Sequence, residues 1–209
     1  MKFYDCKTAP SPRRVRIFLA EKGLDIETVQ VDLGAQEQFS DWYREINPDC
    51  VVPALKLDSG AVLSEVIAIC SYLESVNPGT PLMGRSDLER AEVLMWNAKM
   101  EQQGLWAVAD AFRNRTKGLV DRALPGQVSY AQIPELAERG RRRVADYFQR
   151  LDDIFATREF VAGETFSVAD ITALVAVEFA AWVKIPLPDD ALNLRRWHEA
   201  VAARPSASA

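Results

Sequence analysis

The sequence is poor in the residues that hold metals and make crosslinks. Its 209 residues include one histidine, His198, and three cysteines, Cys6, Cys50 and Cys70. An odd number of widely spaced thiols makes no disulfide framework, and a lone histidine makes no zinc spacing, so no metal is expected. Basic excess is missing as well, because 25 Lys and Arg stand against 30 Asp and Glu for a net charge of −5. That balance does not neutralise phosphates or an anionic bilayer, and neither a nucleic-acid nor a membrane partner is expected. Nothing approaches the ~18–20 consecutive apolar residues that span a bilayer. The start, MKFYDCKTAPSPRR, puts charge and proline where a secretion signal needs an apolar core. The expectation is a soluble, cytoplasmic protein. With 48% hydrophobic and 26% charged residues, the remainder is ordinary globular material, enough for one large or two small domains.

Periodicity divides the chain in two. Up to about residue 80, strand and helix signals alternate; from about residue 86 onward the periodicity is mainly helical. Residues 2–4 read as a strand. Residues 13–22 carry Val15, Phe18 and Leu19 at i, i+3, i+4 and stop at Gly23, the pattern of an amphipathic helix. A second strand at 28–31 and a polar helical stretch at 39–45 follow. Residues 53–63 then form two apolar runs around Asp58-Ser59-Gly60, a hairpin signal. Ser64 is expected to cap a helix bearing Val66, Ile67, Ile69, Cys70 and Leu73, which Asn77-Pro78-Gly79 ends. The order is β-α-β-α-β-β-α.

After a linker at 78–84, the capping box Ser86-Asp-Leu-Glu89 opens a long helix to about residue 116, with a bend at Gly104. Leu124-Pro125-Gly126 interrupts the helical pattern. From Pro134, a helix of about six turns is read from Val144, Tyr147, Phe148, Leu151, Ile154 and Phe155 on one face. Ser167-Val-Ala-Asp170 caps an almost wholly apolar helix at 171–183, which must be buried on all sides. Leu192, Leu194, Trp197 and Val201 mark a last helix before a tail at 205–209.

The informative stretch for chemistry is Thr8-Ala9-Pro10-Ser11-Pro12. Ser11 is a good N-cap and Pro12 suits the first helical position, so free amides and the positive dipole end face the loop after the first strand, where an anion binds well. The ordinary alternative is that Ser11 only caps, and the two roles are compatible because a capping oxygen keeps its own hydrogen free.

Four fragments in order resemble the cytosolic glutathione transferase family: YDCKTAPSPRRVRIFLAEKGL its first strand and helix, INPDCVVPALKLDSG its Val-Pro segment, LSEVIAICSYLE its third helix, and FVAGETFSVADITAL its C-terminal capping motif. The resemblance covers nearly the whole chain. It implies α/β plus all-α architecture, with a thioredoxin-like N-terminal domain at 1–80 that binds glutathione. An all-helical domain at 86–209 then forms the electrophile site. Glutathione as cosubstrate and a homodimer are implied too. Val52 would present its backbone to the cysteinyl part of the tripeptide, with Pro53 cis. Glu65 would receive the γ-glutamyl ammonium and Val66, where the family usually has a hydroxyl residue, would offer only its N–H to the neighbouring carboxylate. Gln38 is a further glutathione contact. Each has an ordinary alternative: Val-Pro as an extended dipeptide, Glu65 as an acid placed for the helix dipole, Gln38 as a solvated polar residue.

The departure lies at the catalytic position, six residues before Val15, where this chain has Ala9 and no hydroxyl or thiol. That resembles an atypical fungal and bacterial subgroup with Gly or Ala in the slot. Ser11 and Thr8 are the nearest candidates to stabilise a thiolate, since a thiol of ordinary pKa ~8.5 drops to ~7 or below beside a helix N-terminus. On the other side of the cleft, Arg113 or Asn114 would orient a water or an anionic electrophile, the alternative being cations that stabilise a helix C-terminus. Arg139, Arg141, Arg142 and Arg143 read as a solvated face, and Trp106 and Trp182 as core or pocket wall. His198 reads as packing, Cys6 as a strand cysteine, Cys50 as a remote candidate for a mixed disulfide, and Asp170 as structural. The expected function is a glutathione transferase. Its rivals are glutathione-dependent disulfide or peroxide reduction and a non-catalytic binding module. A maleylacetoacetate isomerase is disfavoured, because Ala9-Pro10-Ser11 replaces the Ser-Ser-Cys run expected there.

Overall fold

The computed structural model describes residues 1–209. Four short strands form a mixed sheet in the order β2-β1-β3-β4. Strand β1 (Lys2–Asp5) runs parallel to β2 (Glu27–Gln30) and antiparallel to β3 (Ala54–Lys56), and β3 pairs antiparallel with β4 (Val62–Ser64). Parallel neighbours need a crossover, which α1 (Pro10–Lys22) supplies; the antiparallel pair needs only a turn, where Gly60 takes φ 89° and Leu57 N–H donates to the Ala61 carbonyl at 2.8 Å. Alternation along the strands assigns the two faces. Phe3 and its partner Leu55 pack with Val15 and Phe18 of α1 and Ile69 and Leu73 of α3 (Val66–Val76). Tyr4 and Ala54 point the other way, onto Val31 and onto Tyr43 of α2 (Asp41–Arg44). The expected β-α-β-α-β-β-α order is therefore present, in the arrangement of a thioredoxin-like domain.

The remainder is helical: α4 (Asp87–Met100), α5 (Trp106–Arg113), α6 (Pro134–Phe155), α7 (Val168–Phe179) and α8 (Leu192–Ala202). Ser86 caps α4 by accepting from the Glu89 amide at 3.2 Å, whereas the Glu89 carboxylate reaches back to Arg85 N–H at 2.7 Å rather than to Ser86. A wide π turn at Glu101–Leu105 joins α4 to α5 around the expected bend at Gly104. A Cβ on Gly104 would lie 2.5 Å from the Tyr147 ring, and one on Gly140 would lie 2.6 Å from the Ala107 carbonyl, so these two glycines let α6 approach the α4–α5 rod closely. The rod ends at Arg113, before the predicted residue 116, with the Thr116 hydroxyl donating to the Phe112 carbonyl at 2.6 Å to close the last turn.

Three local expectations are corrected by the structure, and the tail gains a docked conformation. Ser64 does not cap α3; the N-cap is Glu65. The apolar run 171–183 is not buried throughout, since α7 gives way to a 3-10 turn at Ala180–Val183 that leaves Trp182 51% exposed. The arginines of α6 are not all solvated: Arg141 bonds the Val183 carbonyl at 2.6 Å, and Arg143 bonds the Gln102 carbonyl and Asp110, while Arg139 and Arg142 stay exposed. The C-terminal tail forms a 3-10 turn, Pro205–Ser208, docked on α1 with Ser206 and Ala207 buried. Arg13 holds the Ala207 carbonyl at 2.9 Å, and Glu21 accepts from Arg204 at 2.8 and 2.7 Å and from Ser206. Burial opposes the Glu21 charge, but these donors outweigh it and hold the carboxyl below its ordinary range.

The two halves are pinned along α1, α3 and the linker. Buried Arg14 pairs with Glu101 and lies 3.4 Å from Thr172, whose hydroxyl donates to Asn97 at 2.7 Å. Glu74 accepts from Lys22 at 2.7 Å and from the Leu82 amide at 3.1 Å. No helix is long and apolar enough to cross a membrane.

Candidate active site

Helix α1 begins one residue before Ser11. Its N-cap is Ala9 in extended conformation (φ −94°, ψ 138°), with Pro10 in the first turn, so Ser11 lies inside the helix instead of capping it. Both prolines suit a first turn, and local rules do not choose between them. The shift changes the supply of donors. Ala9 N–H is spent on the Cys6 carbonyl at 2.9 Å, Pro10 and Pro12 have no N–H, and Arg13 N–H turns back to the Ala9 carbonyl at 3.3 Å. Among these first-turn residues, only Ser11 keeps a free amide, and its hydroxyl makes no bond within the chain. The positive end of α1 therefore offers an anion a single N–H and a single O–H, both from Ser11. Thr8 is exposed, with its hydroxyl 3.4 Å from the Cys6 sulfur, just past the end of β1.

Beside this helix start runs the segment leading into β3. Tyr43 and Asn47 both donate to the Val51 carbonyl, at 2.6 and 2.8 Å, and fix the loop. The Val52–Pro53 peptide is cis. No bond within the chain uses the N–H or C=O of Val52, leaving a backbone edge free to pair with an extended ligand. Glu65, at the start of α3, has φ 65° and ψ 126°, a conformation unfavourable for a residue with a Cβ. Its carboxylate is exposed and makes no contact with a donor, and Val66 follows as the first residue of α3. Gln38 lies on a 3-10 turn, Glu37–Phe39. It is buried to 3% exposure, and its Oε1 has no partner.

Arg113 and Asn114, at the end of α5, have their polar groups engaged. Arg113 donates to the carbonyls of Ala123 (3.1 Å) and Arg122 (2.6 Å), and burial, followed by the nearby Arg122 charge, pulls its pKa below the ordinary arginine value. Asn114 donates to the Asp110 carbonyl at 3.1 Å and accepts from Ile133 N–H at 3.0 Å. Together they hold the loop 117–133 against the helix end. That loop crosses to the sheet domain, where Arg122 lies over Phe39 at 5.6 Å and Gln127 bonds the Pro48 carbonyl. Arg122 and Gln127 carry no periodic or motif signal, and sequence reasoning passed over both. Phe112, Phe179 and Trp182 form an edge-to-face cluster with centroids 5.1 to 5.5 Å apart, to which half-exposed Trp106 does not belong.

The other flagged residues lie elsewhere. His198 Nε2 is 3.4 Å from Glu178, which also pairs with Arg13. Cys6, Cys50 and Cys70 are all buried, and burial pushes the Cys70 thiol up to about 12. No group of three or more His, Cys, Asp or Glu gathers as a metal site. Asp170 sits at the start of α7, fully buried, accepting from Ser167 N–H and Oγ (both 3.1 Å), Val161 N–H (2.8 Å) and Trp197 Nε1 (3.2 Å). Burial pushes its pKa up to about 6 in spite of these four donors.

A thioredoxin-like sheet with a free Ser11 amide and hydroxyl at its first helix start and a cis Val-Pro before its third strand, followed by a helical domain, defines a two-domain class, and comparison gives the family. Residues 8–76 match the glutathione S-transferase N-terminal domain and residues 116–205 the glutathione S-transferase C-terminal domain. The chain belongs to the glutathione S-transferase family. It is 34% identical over 209 residues to glutathione S-transferase 2 of Saccharomyces cerevisiae, covering 99% of this chain and 87% of that protein. It superposes on a glutathione S-transferase domain-containing protein of Marinobacter aquaeolei with a TM-score of 0.91 and 37% identity, covering 99% of each chain. A maleylacetoacetate isomerase of Rattus norvegicus is 29% identical over 178 residues, covering 83% of this chain and 75% of that protein, so the family reaches beyond transferases.

Proposed function

We propose that this chain is a glutathione transferase that ionises the glutathione thiol at the start of α1 for attack on an electrophile in the cleft between the halves. Residues 1–80 bind glutathione and residues 86–209 form the electrophile side. The observation that carries the reading is the pair of free Ser11 donors at the positive end of α1. One N–H, one O–H and the dipole favour a thiolate over a thiol, so a hydroxyl at Ala9 is not needed. The unbonded backbone of Val52 beside Pro53 pairs with the cysteinyl unit, and the open Glu65 carboxylate takes the γ-glutamyl ammonium, with Val66 N–H on its carboxylate. Gln38 adds a polar contact, and Thr8 lies close enough in sequence to serve as a second hydroxyl. In this reading Arg113 and Asn114 brace the loop 117–133, which forms one wall of the site. Exposed Leu88, Leu94 and Met95 on α4 support a homodimer, and the cytoplasm is the compartment proposed for it.

The test is turnover and thiolate absorbance with glutathione and a chlorodinitrobenzene, a hydroperoxide and a mixed disulfide. Ser11→Ala keeps the helix and the N–H but removes the hydroxyl. It is expected to raise the bound thiol's pKa and slow the chlorodinitrobenzene reaction about tenfold, with the melting temperature unchanged. Turnover confined to the disulfide or hydroperoxide would turn the reading to a reductase. Binding without thiolate absorbance or turnover would turn it to a non-catalytic module.

A further inference from the structure

The first turn of α1 has little backbone bonding to hold it in place. Pro10 and Pro12 donate nothing, and the amide that closes the turn, Arg13 N–H, reaches the Ala9 carbonyl at 3.3 Å, longer than the usual ~2.9–3.0 Å. A start built this way drifts unless side chains fix it, and Arg13 is the side chain placed to do so. It lies two residues beyond Ser11, and at ~3.6 residues per turn the two side chains leave opposite sides of the helix. Arg13 is therefore anchored behind the turn while Ser11 stays open in front.

Both terminal nitrogens of the Arg13 guanidinium are taken. One pairs with Glu178 near the end of α7, and the other donates to the Ala207 carbonyl of the C-terminal tail at 2.9 Å. Glu178 is itself fixed, with His198 Nε2 3.4 Å from its other oxygen. Burial opposes the Glu178 charge, but the His198 and Arg13 contacts outweigh it and hold the carboxyl below its ordinary range. The tail is secured at the far end of the same helix. Glu21 accepts from Arg204 at 2.8 and 2.7 Å and from Ser206. The Arg204 guanidinium lies 4.1 Å from the centre of the Phe166 ring, next to the Ser167 cap of α7.

We propose that Arg13 is a positioning residue for the thiol chemistry and that the tail at 205–208 is its support: the two hold the first turn of α1 where the Ser11 N–H and O–H meet the glutathione sulfur. The assignment rests on the thiolate reading given above. Donors favour a developing anion only when they are aimed before it forms, so a turn left free to drift weakens the stabilisation without removing any donor. The Arg13 charge is spent on Glu178, and its effect passes through Ser11.

Titration of the ultraviolet thiolate absorbance of bound glutathione, alongside the melting temperature, tests this. Arg13→Ala keeps the helix but frees the turn, and is expected to raise the apparent pKa of the bound thiol by about half a unit, with Arg13→Lys restoring part of the shift. Glu21→Ala releases the tail about 12 Å along the helix from Arg13 and should raise the pKa by less. Glu74→Ala breaks bonds to Lys22 and Leu82 that touch neither the tail nor the first turn, and should lower the melting temperature without moving the pKa. In a Ser11→Ala background, Arg13→Ala should shift the pKa less than in wild type, because part of what it positions is gone. Three results would each overturn the assignment and leave the transferase reading standing: a melting temperature that falls in Arg13→Ala and Glu21→Ala with the pKa unmoved, a shift as large in Glu74→Ala, or an undiminished shift in the Ser11→Ala background. Should Arg13→Ala not fold, Glu21→Ala decides alone. A wild type whose bound thiol shows no lowered pKa overturns the transferase reading and this assignment with it.

Discussion

Glu65 and Asp170 both read from sequence as an acid at the start of a helix, but the molecule treats them in opposite ways. Asp170 is fully buried and accepts four hydrogen bonds, tying α7 to the 158–167 connection and to Trp197 of α8. Glu65 is exposed, holds a backbone conformation that a side chain resists, and bonds nothing. An acid that satisfies its neighbours is holding the fold. An acid kept in strain and left without a partner is free for a ligand, which is the role proposed for Glu65. The contrast teaches that helix-start signatures do not separate a carboxylate that the fold consumes from one that it leaves open; partners and backbone conformation do.

The largest effect is expected on the structural side of this contrast. Asp170→Ala should cost about 3–4 kcal/mol in chemical denaturation, since it strands several buried donors, with glutathione affinity intact in the folded fraction. A loss of affinity in the folded protein would collapse the distinction. The same residue has a pH signature. Its folded pKa, about 6, lies above the ordinary carboxylate value, so the native state holds the proton more tightly than the unfolded chain. Its contribution to stability is then complete below about pH 4 and declines as pH rises through 6, by about 3 kcal/mol at most. The stability gap between wild type and Asp170→Ala, measured from pH 4 to 7, should therefore narrow; a gap that widens would contradict the burial argument.

On the binding side, Glu65→Gln should weaken glutathione by more than tenfold by removing a charge-assisted bond, at unchanged stability. Calorimetry that finds equal affinity would reject Glu65 as a contact. The smallest effect sharpens the contrast from the backbone: Glu65→Gly should raise stability by about 0.5–1 kcal/mol by relieving the positive φ while abolishing the same contact. If it destabilises instead, the strain is not borne at residue 65.

Local signals were reliable where one physical cause acted alone. The face of α6 followed from Val144, Tyr147, Phe148 and Leu151, all buried, because burying that stripe is the main thing a long helix gains. The box of Ser167 and Asp170 was legible because both partners lie within one turn. The hairpin at Gly60 was legible for the same local reason. The site was only half legible. Ser11 could be named from the helix-start signal, and Val52, Glu65 and Gln38 from the family pattern, but their unpartnered groups could not.

What the sequence by itself determined is the order of elements, the split between a mixed sheet and a helical remainder, and the place of most caps and turns, since periodicity and capping act over a few residues. Tertiary structure decided that α1 starts at Pro10, leaving Ser11 with the free donors. It also decided that Arg13 and Glu21 hold the tail at residues 205–208, and that Arg141 and Arg143 serve distant carbonyls. The meeting of Arg122 with Phe39 was settled there too. The physical reason is common to the arginine contacts. A long charged side chain on an exposed face has many partners of nearly equal energy in water, and only packing of the elements brings one of them within reach and takes the water away.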